Sequence, residues 1–155
     1  MSTKVLVPSG VLGLGFSKKA LEKGLKRNPD IICIDGGSTD SGPFYLGTGT
    51  TKYSEEVCKK EWRILMQARE RLKIPLMIGS CGTCGTNSMV DWMFQITSQI
   101  AKDLGQNLKI IRVYCEKKKD DLLNAFESNT IKPLNPILSV SNEEIETFSN
   151  IVALA

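Results

Sequence analysis

The chain has 155 residues, 24% charged and 41% hydrophobic, with a formal net charge of +3, 13 glycines, five cysteines and no histidine. That length suits one domain, the charge and hydropathy argue against disorder, and no apolar run nears the ~20 residues needed to cross a bilayer. Without histidine there is no Ser-His-Asp triad, no Cys-His nucleophile pair and no His-ligated zinc, so proton transfer falls to Asp, Glu, Cys, Lys or Tyr.

Residues 4–8 read as a strand, and a helix is expected over 17–27 with Ser17 as N-cap. Asn28-Pro29-Asp30 breaks it, and the apolar run 31–34 suits a strand buried on both faces. A long loop spans 35–53. A helix from Ser54 to Leu72 follows, with Val57, Ile64, Leu65, Ala68 and Leu72 on one face and acids in its first turn. Residues 75–78 form the third predicted strand, and a helix over 88–104 closes at Gly105. A fourth strand is expected over 108–114 and a short helix over 120–128. Residues 131–140 form a proline-containing crossing loop, Ser141 caps a last helix, and a fifth strand begins at Asn150.

This alternation predicts a Rossmann-like three-layer α/β domain over residues 1–155, with a mostly parallel sheet of about five strands. The abrupt apolar end suggests the first portion of a longer protein, or an open domain completed by another chain. The start, Met1-Ser2-Thr3-Lys4, runs straight into a strand with no secretory h-region, so a cytoplasmic protein without membrane attachment is expected. The small net charge and the lack of interleaved aromatics give no reason to expect nucleic acid.

Eleven of the glycines fall in three segments, each after a strand and before a helix: Gly10, Gly13 and Gly15; Gly36, Gly37, Gly42, Gly47 and Gly49; Gly79, Gly82 and Gly85. In a parallel sheet such loops share the carboxyl edge, where open α/β folds bind ligands. Glycine permits close backbone approach, and free N–H groups at helix starts favour an anion. With Ser9 and Ser80, these loops are the expected ligand site.

The first loop reads G-x-x-G-x-G, whereas the dinucleotide fingerprint is G-x-G-x-x-G, although Asp35 falls 20 residues after Gly15, where a ribose-binding acid would sit. Nucleotide binding is therefore an alternative. Asp35-Gly36-Gly37-Ser38-Thr39-Asp40 is the densest polar cluster. Asp35 and Asp40 are candidates for a general base or a divalent-cation site, with Ser38, Thr39 and Tyr45 orienting a substrate. The competing reading is an Asx turn whose carboxylates satisfy backbone amides. Glu116, at the end of the fourth predicted strand, is a further candidate acid or base. Lys52 and Arg63 could reach an acidic substrate.

Cys81 and Cys84 form a C-x-x-C between a strand and a helix, the placement of a thiol–disulfide oxidoreductase, because a helix start lowers a thiol pKa. The other reading is small-residue packing around a ligand.

The segment Ile34-Asp-Gly-Gly-Ser-Thr-Asp-Ser-Gly-Pro-Phe-Tyr-Leu-Gly47 resembles a D-x-G-S-T-D-x-G-P-x-Y-L-G motif of the acyclic terpene utilisation AtuA family. Ile74-Pro-Leu-Met-Ile-Gly-Ser80, Lys132-Pro-Leu134 and the segment near Ile151 extend the resemblance over nearly the whole chain. It implies an N-terminal portion of a longer family architecture. It further implies a role in catabolism of branched or terpenoid acids through acyl-CoA intermediates, with a lyase- or hydratase-type activity. The family's third loop is richer in Gly and Ala, so Cys81 and Cys84 depart from it. The partner expected is thus a small carboxylic acid or acyl-CoA, beside a homo-oligomeric contact or a remaining C-terminal portion. A non-catalytic oligomerising subunit is the alternative in a third class.

Overall fold

The computed structural model describes residues 2–37, 41 and 43–153. The elements in chain order are β1 (Val5–Leu6), α1 (Lys18–Leu25), β2 (Ile31–Asp35), α2 (Pro43–Thr48) and α3 (Glu55–Leu72). They are followed by β3 (Leu76–Gly79), α4 (Asn87–Leu104), α5 (Lys119–Glu127) and α6 (Asn142–Glu146). The strands form one parallel sheet in the order β1-β2-β3, with Val5 opposite Ile31, and Ile32 to Asp35 opposite Leu76 to Gly79.

The helices begin and end where the side chains can satisfy their free backbone groups. Ser17 accepts a hydrogen bond from the Ala20 amide, Ser54 from Val57 and Thr86 from Met89. At the far ends Lys73 and Gly105 turn left-handed, and the following amides of Ile74 and Gln106 reach back to the carbonyls of Arg69 and Ala101. α6 carries the reciprocal Ser141–Glu144 capping box.

The core is one cluster. β2 contributes Ile32 and Ile34, α1 Leu21 and Leu25, α3 Trp62, Leu65 and Met66, and α4 Met93, Ile96 and Ile100. Gly24 of α1 lies directly against Leu6 of β1, and the Trp62 indole donates to Thr97 Oγ1 at 2.9 Å, tying α3 to α4.

Five sequence expectations are corrected here. The sheet has three strands among the described residues, not five. Residues 108–114 form no strand. They run back along α4, where Arg112 pairs with Asp91 at 2.7 Å and stacks on Phe94, while the Tyr114 hydroxyl donates to Asp91 at 2.5 Å. Their β-branched composition favours a pleated half-buried surface, but no sheet edge is within reach of a segment held to a helix by alternate side chains. The fifth strand is reduced to an isolated antiparallel bridge between Glu116 and Val152. Burial on β2 alternates, with Ile32 and Ile34 buried and Ile31 and Cys33 half-buried, so the run is not covered on both faces. On that second face Val5 and Met77 are 54% and 58% exposed, so among the described residues no helix layer covers it and the expected third layer is not seen. No helix among the described residues is long and apolar enough to cross a membrane.

Leu65 is fully buried at the centre of this single layer. Leu65→Ala should lower unfolding free energy by about 2–5 kcal/mol, the cost of lost burial plus a cavity. A urea titration should show this as a lower midpoint at unchanged slope.

Candidate functional site

Parallel pairing brings the chain out of all three strands on the same side, and three loops meet there: loop 1 (residues 7–17), loop 2 (36–53) and loop 3 (80–86). Direct hydrogen bonds join them. The Leu12 amide donates to the Asp35 carbonyl at 2.8 Å, Gly36 to Gly79 at 2.6 Å, and Thr83 to Gly36 at 3.2 Å. The Lys52 amide donates to Thr83 Oγ1 at 3.1 Å, and Gly13 to Glu61 Oε2 at 2.7 Å. Gly13, Asp35, Gly36, Gly37 and Gly79 are therefore brought together, as the sequence suggests.

The glycines divide by what lies in the place of their missing side chain. At Gly37 a Cβ would meet the Thr83 backbone at 2.1 Å, and at Gly36 the Gly79 carbonyl at 2.7 Å. At Gly13 it would strike the Tyr53 ring, and at Gly82 the Met89 side chain. These four spaces are filled by the protein itself. Gly10, Gly47 and Gly79, by contrast, have nothing within 4 Å, as has Gly105 at the end of α4, while Gly15 and Gly85 meet only Glu61 and Ser80 at 4.0 and 3.6 Å. The open glycines, not the crowded ones, are where another molecule's atoms can approach the main chain.

Asp35, half-buried at the end of β2, accepts the Gly37 amide on Oδ1 at 3.0 Å. That is the Asx turn of the competing reading, and it occupies one carboxylate oxygen. Ser38, Thr39, Asp40 and Gly42 lie outside the described residues, so the Asp35–Asp40 pair is not seen. Among the described residues no three acidic or thiol side chains cluster as a metal site would need. Tyr45 sits on α2, edge-to-face with Phe44 at 5.3 Å. Ser9 makes only a long contact to the Val11 carbonyl, and Ser80 is exposed with left-handed backbone. Lys52 extends its ammonium to Ser41 Oγ at 3.1 Å, beside the Tyr53 ring. Arg63 pairs with Asp103 of α4. Glu116 bridges Val152, and the fourth strand whose end would carry it to the carboxyl edge does not form.

Loop 3 reverses the expected thiol chemistry. Burial pushes the Cys81 thiol up to about 11, which disfavours the thiolate at neutral pH. Cys84 is buried, with Sγ 3.4 Å from Thr86 Oγ1, and all five cysteines are free. A redox nucleophile needs the opposite shift.

Glu61 is the site residue that the sequence reading omits. It lies on the buried stripe of α3 with Cys58, Leu65 and Ala68, at helical spacing, and is only 7% exposed. An acid on an otherwise apolar stripe was the available signal. Its carboxylate holds loop 1 by the Gly13 amide and, together with burial, pushes the Cys58 thiol up to about 11.

Comparison with protein families, with curated proteins and with solved structures finds no match.

The division of the glycines is open to direct test. Gly37→Ala should cost at least about 2 kcal/mol of stability, since backbone rather than a flexible side chain stands in the way. Gly10→Ala should stay within about 0.5 kcal/mol of the parent. Chemical denaturation of both variants separates the two outcomes.

The thiols make a second prediction. A thiol raised in the folded state stabilises below its ordinary value of 9.0, and that stability is lost as pH climbs toward about 11. Unfolding free energy should therefore fall between pH 9 and 11. The fall should be shallower in the Cys58→Ala, Cys81→Ser double variant.

Proposed function

We propose that the carboxyl edge of the sheet binds a small carboxylic acid or its acyl-CoA conjugate, on a Rossmann-like framework built on the three parallel strands. The observation that carries this reading is that Gly10 in loop 1 and Gly79 at the end of β3 are both unfilled, beside glycines of the same edge that their own chain packs tightly. Main chain left bare in loop 1 and at the end of β3 lets an anion or a thioester approach backbone N–H groups closely.

Two features fit an acidic ligand. α4 starts directly after loop 3 and directs its first free amides toward this edge, where the helix dipole favours negative charge. Lys52 supplies a cation on the same hydrogen-bonded cluster, reached through Thr83. Asp35, with one carboxylate oxygen committed to its turn, and Asp40 are the proposed acid–base pair or cation ligands for a lyase- or hydratase-type step. The resemblance of residues 34–47 and 74–80 to the AtuA family supports the same substrate class. The raised Cys81 thiol weighs against a thiol–disulfide function.

Thermal unfolding with a panel of carboxylic acids, acyl-CoAs, nucleotides and divalent cations tests the proposal. A ligand at ~100 times its dissociation constant adds about 2.7 kcal/mol, a rise in melting temperature of several degrees. An acid or acyl-CoA should produce it, and Lys52→Met should weaken that ligand about tenfold by removing its counter-charge. A cooperative melt unmoved by every acid and acyl-CoA would overturn the reading.

A further inference from the structure

We propose that residues 107–146 are a docking face for a second copy of this chain, with the basic segment of each copy laid on the acidic segment of the other. Five observations on the apolar side chains stand first. Ile111, Val113, Leu134, Ile137 and Leu138 are 79%, 68%, 81%, 69% and 87% exposed, in a stretch where ordinary surfaces carry polar groups. Five such side chains in two short segments, 111–113 and 134–138, exceed the isolated exposed hydrophobes of an ordinary surface and point to association. The backbone agrees: among the described residues, no N–H or C=O of residues 107–114 takes part in an intramolecular hydrogen bond.

Charge identifies the occupant. Residues 108–119 hold five basic side chains and one acid, whereas residues 120–146 hold six acids and one base. One contact between them is satisfied inside the chain, Lys119 to Glu146 at 3.6 Å, and Arg112 is held by Asp91. Among the described residues Lys109, Lys117 and Lys118 make no ion pair, nor do Asp120, Asp121 and Glu143. A partner must then offer acids to the first segment and bases to the second, with apolar side chains between. A second copy related by a two-fold axis meets both demands at once, because each copy presents one segment and receives the other. An unrelated acidic protein would answer only half of the surface. Exposed ion pairs in water contribute little, but apolar groups that exclude solvent around them raise their weight and fix the register.

Sedimentation of the full chain tests this. The wild-type protein should be a dimer that weakens about tenfold when salt is raised enough to shorten the screening length severalfold. Lys117→Glu with Lys118→Glu sets acid against acid, and Glu143→Lys with Glu146→Lys sets base against base. Each variant alone should be monomeric, and mixing the two should restore a one-to-one dimer. All four positions lie outside the core, so cooperative melting of each variant separates lost association from lost folding. Leu138→Asp should also give a folded monomer. A wild-type chain that is monomeric at all salt concentrations, a dimer indifferent to both charge reversals, or a mixture that stays monomeric would each overturn the proposal.

Discussion

Loop 3 is pressed so closely against the end of β2 that neither Gly36 nor Gly37 can carry a side chain. The rest of the carboxyl edge follows from that contact. Thr83, only 1% exposed, donates to Gly36 and accepts from Lys52, so neither Gly36 nor Lys52 can move without disturbing loop 3. Gly36 in turn donates to Gly79, the bond that closes the β2–β3 ladder at its last pair, Asp35 and Gly79. The site is therefore pre-formed by main chain. Such a framework offers a ligand fixed N–H directions at little ordering cost.

Loop 1 is held by different means. A buried carboxylate, Glu61, receives the Gly13 amide, and the Tyr53 ring covers Gly13 from the other side. Burying a charge is costly unless it is hydrogen-bonded, and a charged acceptor makes that bond roughly twice as strong as a neutral one. The cost falls on α3, which has the apolar contacts of Trp62, Leu65 and Met66 to offset it. One loop is thus locked by backbone geometry and the other by a buried side chain, so the two respond differently to substitution.

Much of this was legible in the sequence. Ser17, Ser54, Gly105 and the Ser141–Glu144 pair mark helix boundaries to within a residue or two, because capping is local chemistry written in adjacent residues. The convergence of the three glycine loops followed from strand–helix alternation alone. α2 was missed inside the long loop, although Pro43 at its first position and Gly49 just past its end are a helix's usual bounds. What could not be read locally was the sheet's extent. Residues 108–114 have every local mark of a strand, and whether they become one depends on a neighbouring edge that no residue in the segment encodes. The roles of the glycines were hidden for the same reason: Gly10 and Gly37 look alike until Thr83 is seen to fill one space and nothing the other.

The asymmetry of burial divides the molecule into two levels of stability. The first 105 residues supply every member of the main buried cluster, while beyond them only Ile145 is buried among the described residues. The later segments are held mainly by polar contacts: Arg112 and Tyr114 on Asp91, Asn150 on the Leu46 carbonyl, and Lys119 on α6. Each is partly or fully open to water, where exposed polar contacts contribute a fraction of what buried apolar area does. The C-terminal third can therefore open without unfolding the core, which is the behaviour expected of a low-stability unit with few buried contacts. Asn150 makes one exception of consequence, since its amide reaches α2 next to loop 2 at 2.7 Å. Through this amide, which donates to both the Leu46 and Gly47 carbonyls, order in the outer segments is coupled to the rim of the proposed ligand site, and whatever fastens those segments also steadies the loop that carries Lys52.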